Sequence, residues 1–273
     1  MNSTTRLAAA PTGDAVQTLE VQSATQLPFD TPAALRFASA RAQFLDRFLS
    51  SWKGRPFRTV LDAGTGIGYF AGHLVRNYNF QVLGLDARSS NVEEAQKRNP
   101  QVEFSVGDVE SSEFASHGKF DLVLALGLIY HLENPFRAIR NLADASRNAI
   151  VIESLVAPGR KARGWLMDEF PGDDQALAYV AWHLTELGIV KLLYRSGIPN
   201  VYRPRFKPPH LEFRGKFLKR PTRVFVIGSR LPLESDDYEY IPEPVALLDR
   251  AYYFRWPVRD LMRWLLTLKR RIS

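Results

Sequence analysis

The sequence predicts an α/β fold: a seven-stranded, mostly parallel sheet with one antiparallel edge strand and helices on both faces. Three observations carry this prediction. Short apolar runs alternate with helix-length stretches between residues 58 and 155, and strand–helix alternation at that spacing implies crossover units. A glycine-rich turn follows the first apolar run. The chain has 273 residues, 45% of them hydrophobic and 12% aromatic. That is enough to build a sizeable core in one large domain, and it excludes a fully disordered protein.

The elements follow in order. Residues 1–33 read as a flexible leader, since Met1 to Leu27 is rich in Ser, Thr, Ala and Gln and lacks the charged start and apolar stretch of a secretory signal. Ala34 to Trp52 sets Leu35, Ala38, Ala42, Leu45 and Leu49 three and four residues apart, with Phe44 and Phe48 beside them. That spacing predicts an amphipathic helix. Strands are expected at Arg58 to Asp62, Phe80 to Asp86, Val102 to Asp108, Phe120 to Leu126 and Ala149 to Leu155. Helices at Gly68 to Tyr78, Ser90 to Arg98 and Pro135 to Ser146 lie between them. A helix at Thr185 to Ser196 then leads into Asn200 to Phe206 and Arg223 to Gly228, two strands expected to pair antiparallel at the sheet's edge. The sheet domain should thus span residues 34–232. Residues 233–273 form a C-terminal helical appendage, in which Pro257 opens a helix with Val258, Leu261, Met262, Leu265 and Leu268 on one face.

The chain has no cysteine, which excludes disulfide scaffolds, cysteine nucleophiles, zinc ribbons and iron–sulfur clusters. No apolar run reaches the roughly 20 residues of a membrane-spanning helix. A cytoplasmic protein is the expectation. The net charge of +7 is unevenly placed. Arg203 to Arg223 carries eight Lys and Arg against Glu212, and Arg250 to Ser273 carries seven against Asp260, so the remaining body is net acidic. Such asymmetry points to an anionic partner. The first basic segment, which interleaves Phe206, Phe213 and Phe217, suits phosphates of RNA, a nucleotide-sugar or a lipid-linked glycan, or else a solvated connection whose aromatics join the core. The second suits peripheral contact with the inner face of an anionic membrane through residues 250–273, or docking on protein.

The chemistry concentrates in Val60-Leu61-Asp62-Ala63-Gly64-Thr65-Gly66-Ile67-Gly68-Tyr69-Phe70. Open α/β sheets bind ligands beyond the carboxyl ends of their strands. The G-x-G-x-x-G dinucleotide pattern fails because Tyr69 stands at its last position, and no G-K-[ST] follows to make a P-loop. What remains is D-x-G-x-G-x-G. A carboxylate beside the loop suits a ligand bearing an ammonium or sulfonium cation better than a pyrophosphate.

On these residues the sequence resembles the class I S-adenosylmethionine-dependent methyltransferases from about Ala34 to Arg230. The resemblance implies that Asp62, Gly64, Thr65, Gly66 and Gly68 hold the methionine end of S-adenosylmethionine. Asp86, with Ala87 beside it, would take the ribose hydroxyls; it stands 22 residues past Gly64, close to the spacing of about 20 expected of a ribose acid. Asp108 and Val109 would meet the adenine, and the strand ending at Leu126 would pass beneath the sulfonium. Taken singly, each acid is equally a strand-end cap and the glycines a tight turn; the case rests on their joint order.

The segment Gly127-Leu128-Ile129-Tyr130-His131-Leu132-Glu133-Asn134-Pro135 is similar to that of tRNA wobble-uridine carboxymethyltransferases and of small-molecule and sugar methyltransferases. It makes His131 a candidate general base, with Tyr130 facing the acceptor; a cap for the following helix is the structural alternative. Tyr69, Glu153, His183 and the acidic run Asp168 to Asp174 complete the polar groups near the mouth. The run lacks metal-ligand spacing, so no metal is expected and a solvated loop is the reading. The expected function is methyl transfer to a small-molecule or sugar/glycan acceptor, an anionic one among the options, on oxygen in preference to nitrogen or carbon. Two alternatives stand: an RNA-modifying methyltransferase, and a catalytically silent fold serving as a partner-binding subunit.

Overall fold

The computed structural model describes residues 28–169, 177, 180–215 and 222–245. Residues 1–27 and 246–273 lie outside them, and with them most of the expected leader and the helix expected after Pro257. Ten strands form: β1 (Thr59–Ala63), β2 (Gln81–Asp86), β3 (Glu103–Val106), β4 (Phe120–Leu126), β5 (Ser146–Leu155), β6 (Gly164–Asp168), β7 (Val180–Leu184), β8 (Asn200–Pro204), β9 (Arg223–Ser229) and β10 (Tyr238–Tyr240). The helices are α1 (Pro32–Ser51), α2 (Tyr69–Tyr78), α3 (Ser89–Arg98), α4 (Pro135–Ala145), α5 (Glu186–Arg195) and the single turn α6 (Leu211–Arg214).

Eight strands make the main sheet, in the order β10-β8-β9-β5-β4-β1-β2-β3. β3, β2, β1, β4 and β5 run parallel. β9 is antiparallel to both β5 and β8, and β10 is antiparallel to β8. The mixed, mostly parallel α/β fold is as the alternation predicts, with two corrections. The sheet has eight strands, not seven. The antiparallel β9 lies inside it, because Tyr238–Tyr240 pairs onto β8 and becomes the edge. Three residues flanked by Asp236-Asp237 and Pro242 are too short a run to announce a strand. Residues 233–241 therefore pack with the sheet rather than with a separate appendage: Ile241 donates its N–H to Val201 O (2.8 Å), and Tyr194 Oη donates to Ile241 O (2.6 Å).

Side chains alternate across the central strands, as a period of two requires. Leu61, Ala63, Val123, Ala125, Ile150 and Ile152 point to one face, where α4 and α5 bury Ile139, Leu142, Ile189 and Leu193. Val60, Leu122, Leu124 and Val151 point to the other, under Phe44, Leu45, Phe48, Phe70 and Leu74 of α1 and α2. The face of α1 that meets the sheet is rotated from the expected stripe. Phe44 and Phe48 are fully covered while Leu35 is 44% exposed, because an aromatic stack decides the contact. Phe44 stacks on Phe225 with ring centroids 3.6 Å apart, and Phe206 and Phe213 from the basic segment join it. Those two aromatics of the segment belong to the core; Phe217 lies outside the described residues.

Outside the main sheet, β6 and β7 form an antiparallel hairpin where the sequence predicts no strand. Every residue of β6 is exposed, so no apolar period marks it. Two anchors hold the hairpin: from the middle of β7, Trp182 Nε1 donates to Glu133 O (3.0 Å), and at its open end Thr185 Oγ1 donates to Lys161 O (2.8 Å) while accepting from Gly188 N–H (3.0 Å). Among the described residues no helix is long and apolar enough to cross a membrane.

Candidate active site

The carboxyl ends of the parallel strands open into a cavity of about 520 Å³. At one end lie Gly107, Asp108 and Val109, just past β3. Next come Asp86 and Ala87 after β2, then Gly64, Thr65 and Gly66 after β1, and then Leu126, Gly127, Tyr130 and His131 after β4. A turn over Pro28–Asp30 covers the glycine loop. Asp30 is held there by Arg98 through Nη1–Oδ1 and Nη2–Oδ2 contacts of 2.7 and 2.8 Å, a bidentate pairing of high directional strength.

The loop is shaped by its carboxylates. Asp62 is 1% exposed and lies beneath the loop rather than in the cavity wall. Its Oδ2 accepts from Thr65 Oγ1 (2.7 Å) and Ala71 N–H (3.2 Å), tying the turn to the first turn of α2. Burial pushes its carboxyl up to about 6, against the pull of these two bonds and with a further push from Asp86. Gly64 has φ +70°, and a Cβ there would stand 2.9 Å from Leu128 Cδ1, so the turn requires glycine. Gly68 caps α2 from outside the wall. Asp86 accepts Gly66 N–H at Oδ2 (2.9 Å), and Arg88 N–H and Asn91 Nδ2 at Oδ1 (3.0 and 3.1 Å). The Asp108 carboxylate accepts from Glu110 N–H at Oδ1 (2.8 Å), and its carbonyl accepts from Ser111 N–H (3.1 Å).

The chain beyond β4 carries the other functional groups. A short 3₁₀ turn over Ile129–His131 buries Tyr130 and presents His131. His131 Nδ1 lies 2.7 Å from Glu169 Oε1, with the two side chains 11% and 12% exposed. Glu169 follows β6, so the hairpin delivers a carboxylate that the sequence reading left in a solvated loop. Of the rest of that acidic run, Asp168 ends β6, and 170–174 lie outside the described residues. His183 sits in β7 opposite Trp165.

Beneath Tyr130, Glu153 near the end of β5 is wholly buried between Arg41 and Arg223. Arg223 Nη2 donates to Tyr130 Oη at 3.0 Å. Burial raises the Tyr130 hydroxyl above its ordinary value, with Arg223 opposing. It stays a neutral phenol whose oxygen accepts from Arg223 and whose hydrogen can be donated. Burial works against the Arg223 charge, but Glu153, Tyr130 and Glu212 outweigh it and hold the guanidinium above its usual value.

Arg41, Arg223 and Glu169 were not among the expected site residues. A signal existed for one: Arg41 falls on the apolar face of α1, three residues after Ala38 and four before Leu45. Charge on a core-facing stripe asks for a buried partner. The other two are assembled only by the fold.

The profile of a family described as "Methyltransferase domain" matches residues 60–148, the stretch that builds the glycine loop and the strands flanking it. Residues 60–148 are thus similar to a methyltransferase domain. A stretch of 101 residues, 35% of this chain, is 31% identical to ajmaline N-methyltransferase of Rauvolfia serpentina, and 86 residues are 34% identical to phosphoethanolamine N-methyltransferase 1 of Triticum aestivum. These stretches span 34% and 17% of those proteins' own lengths. Among solved structures, the N-terminal domain of EvdMO1 with SAH bound superposes with a TM-score of 0.56 at 20% identity, covering 69% of this chain and 80% of that one. Magnesium protoporphyrin IX methyltransferase from Synechocystis PCC 6803 with bound SAH gives 0.52 at 18% identity, covering 74% and 88%. At such identities the likeness is one of fold. The chain's own residues fit S-adenosylmethionine: the cavity follows the strand ends in the order an adenosine–methionine ligand needs, with a carboxylate at each of β2 and β3 and a glycine turn at β1.

Proposed function

We propose that the protein transfers a methyl group from S-adenosylmethionine to an oxygen of a small-molecule or sugar acceptor. The observation that carries this reading is His131 in the wall of the cavity beyond β4, with Glu169 Oε1 2.7 Å from its Nδ1. Asp108 and Val109 would hold the adenine, Asp86 and Ala87 the ribose, and Gly64, Thr65 and Gly66 the methionine end, with Asp62 and Gly68 shaping that loop from beneath. When bound, S-adenosylmethionine supplies a methyl group on a cationic sulfur.

An acceptor hydroxyl must lose a proton as it is methylated, and the chain provides for that proton. The Glu169 carboxylate beside Nδ1 favours a proton on that nitrogen and leaves Nε2 as the basic one. Protonation at Nε2 places a cation against the Glu169 carboxylate, an arrangement that stabilises the imidazolium. Tyr130 orients the acceptor by donating its hydroxyl hydrogen. Positioning of this kind does much of the work in a displacement reaction. The two curated relatives are named for small-molecule acceptors, which supports an acceptor of that size. The basic segment gives RNA little support, since Arg203 is engaged by Glu186 and Glu239, and Arg223 by Glu153 and Glu212.

The test uses labelled cofactor against fractionated cell extract, with S-adenosylhomocysteine affinity measured by calorimetry alongside. His131→Ala should bind S-adenosylhomocysteine as the wild type does and lose about 10²–10⁴-fold in turnover. Glu169→Gln should lose about tenfold in kcat with KM unchanged. Wild-type turnover in His131→Ala would remove the base. No heat with S-adenosylhomocysteine would favour a silent fold.

A further inference from the structure

The end of the cavity beyond β4 holds two guanidinium groups that proton transfer does not use. Arg41 Nη2 lies 3.0 Å from Glu153 Oε2, and Arg223 Nη1 lies 3.1 Å from Oε1. The two arginine side chains are 12% and 11% exposed, and Glu153 is 0% exposed. Both guanidinia lie over the Phe37 ring, 4.0 and 4.9 Å from its centroid. Arg41 also lies against Gly127, where a Cβ would come within 3.0 Å of Nη2. Its Nε finds no hydrogen-bond partner among the described residues. Both arginines wall the same cavity as Tyr130 and His131.

Among the described residues, the buried charges do not cancel. Two cations share one buried carboxylate. Glu212 reaches Arg223 Nε at 2.5 Å but is 40% exposed, and Glu169 is directed at His131. A buried charge short of its counterion is costly, and an unpaired guanidinium N–H is costly in the same way. An anion entering this end of the cavity would relieve both. Its place follows from the sheet order β9-β5-β4-β1-β2-β3: Glu153 lies two residues before the end of β5 and Arg223 begins β9, on the far side of β4 from Asp86 and Asp108. Strands stand about 4.8 Å apart, so Arg223 lies two strands past Leu126, the last residue assigned to the cofactor, and Arg41, against Gly127, borders that span.

We propose that Arg41 and Arg223, clamped by Glu153, form a receptor for an oxyanion, a carboxylate or phosphate, carried by the methyl acceptor. The assignment to the acceptor rests on the methyltransferase reading above; the oxyanion site rests on the arginine geometry alone. The same chemistry could be offered by the carboxylate of the cofactor's methionine end, and the experiment separates the two sources.

The experiment is thermal unfolding of the full chain in inorganic phosphate against chloride at equal ionic strength. It is run with S-adenosylhomocysteine, with 5′-methylthioadenosine (which lacks the carboxylate), and with neither. Phosphate should raise the Tm of the protein in both loaded forms. Arg41→Gln should weaken the phosphate response about tenfold or more, the equivalent of one lost charge-assisted bond. Arg41→Lys, which keeps the charge but not the fork, should fall between and stands in if the Gln variant does not fold. Stabilisation of the 5′-methylthioadenosine form alone would mean that the cofactor's carboxylate occupies the pair, and the acceptor site would be overturned. No phosphate response, or an equal one in Arg41→Gln, would overturn the oxyanion site itself. A chain that ignores S-adenosylhomocysteine instead contradicts the methyltransferase reading; the phosphate response of the unloaded protein then decides the oxyanion site separately.

Discussion

Asp62 is the most demanding test of the site's electrostatics, because its carboxylate serves the loop at a cost to the fold. Its ordinary value is 3.8, and burial raises it to about 6 in the folded chain. Below pH 4 the group is protonated in both states and contributes no difference. Between pH 4 and 6 the unfolded chain gives up its proton first, so stability falls as pH rises, and above pH 6 the full difference is in place. That difference is about 3 kcal/mol. In Asp62→Asn the amide oxygen can still accept from Thr65 and Ala71, while its new amino group, buried beside them, costs about 1 kcal/mol. The variant should therefore be about 2 kcal/mol more stable than wild type at pH 7.5. Its denaturant midpoint should lack the decline between pH 4 and 6 that wild type shows. Urea titrations of the ligand-free protein at half-unit pH steps, with the m-value compared between the two chains, make the measurement. Parallel curves for the two proteins across that window, or an Asn variant less stable at pH 7.5, would refute the reasoning. The carboxylate would then be titrating as it does in water.

Two further outcomes follow from the geometry. Asp86→Asn should weaken S-adenosylhomocysteine about tenfold or more by calorimetry, because a charged acceptor of two hydroxyls is replaced by a neutral one; unchanged affinity would take Asp86 out of the ribose site. Phe44→Ala should destabilise the fold by about 3–5 kcal/mol in denaturant titration, as it empties a fully buried site stacked on Phe225. A loss under 1 kcal/mol would show that the aromatic stack does not hold α1 to the sheet.

The sequence by itself determined the five parallel strands, the helices between them and the glycine turn, because each of these is local. Periodicity, a carboxylate at the strand end and glycines in the turn all lie within a dozen residues of one another. The same locality placed Asp86, Asp108, Tyr130 and His131 at one sheet edge, since strand ends in a parallel sheet share an edge by construction. It could not supply β10, whose three residues are a strand only because β8 offers them an unpaired edge. Nor could it show that Phe44 rather than Leu35 marks the buried face of α1, which the stack with Phe225 decides. The pairing of His131 with Glu169, 38 residues later, depends on a hairpin with no apolar period, pinned at Glu133 and Lys161. Arg41, Glu153 and Arg223 come from α1, β5 and β9 and meet only where α1 packs over the paired β5 and β9. Charges so far apart in the chain are brought together by packing, and only the tertiary structure records which of them share a carboxylate.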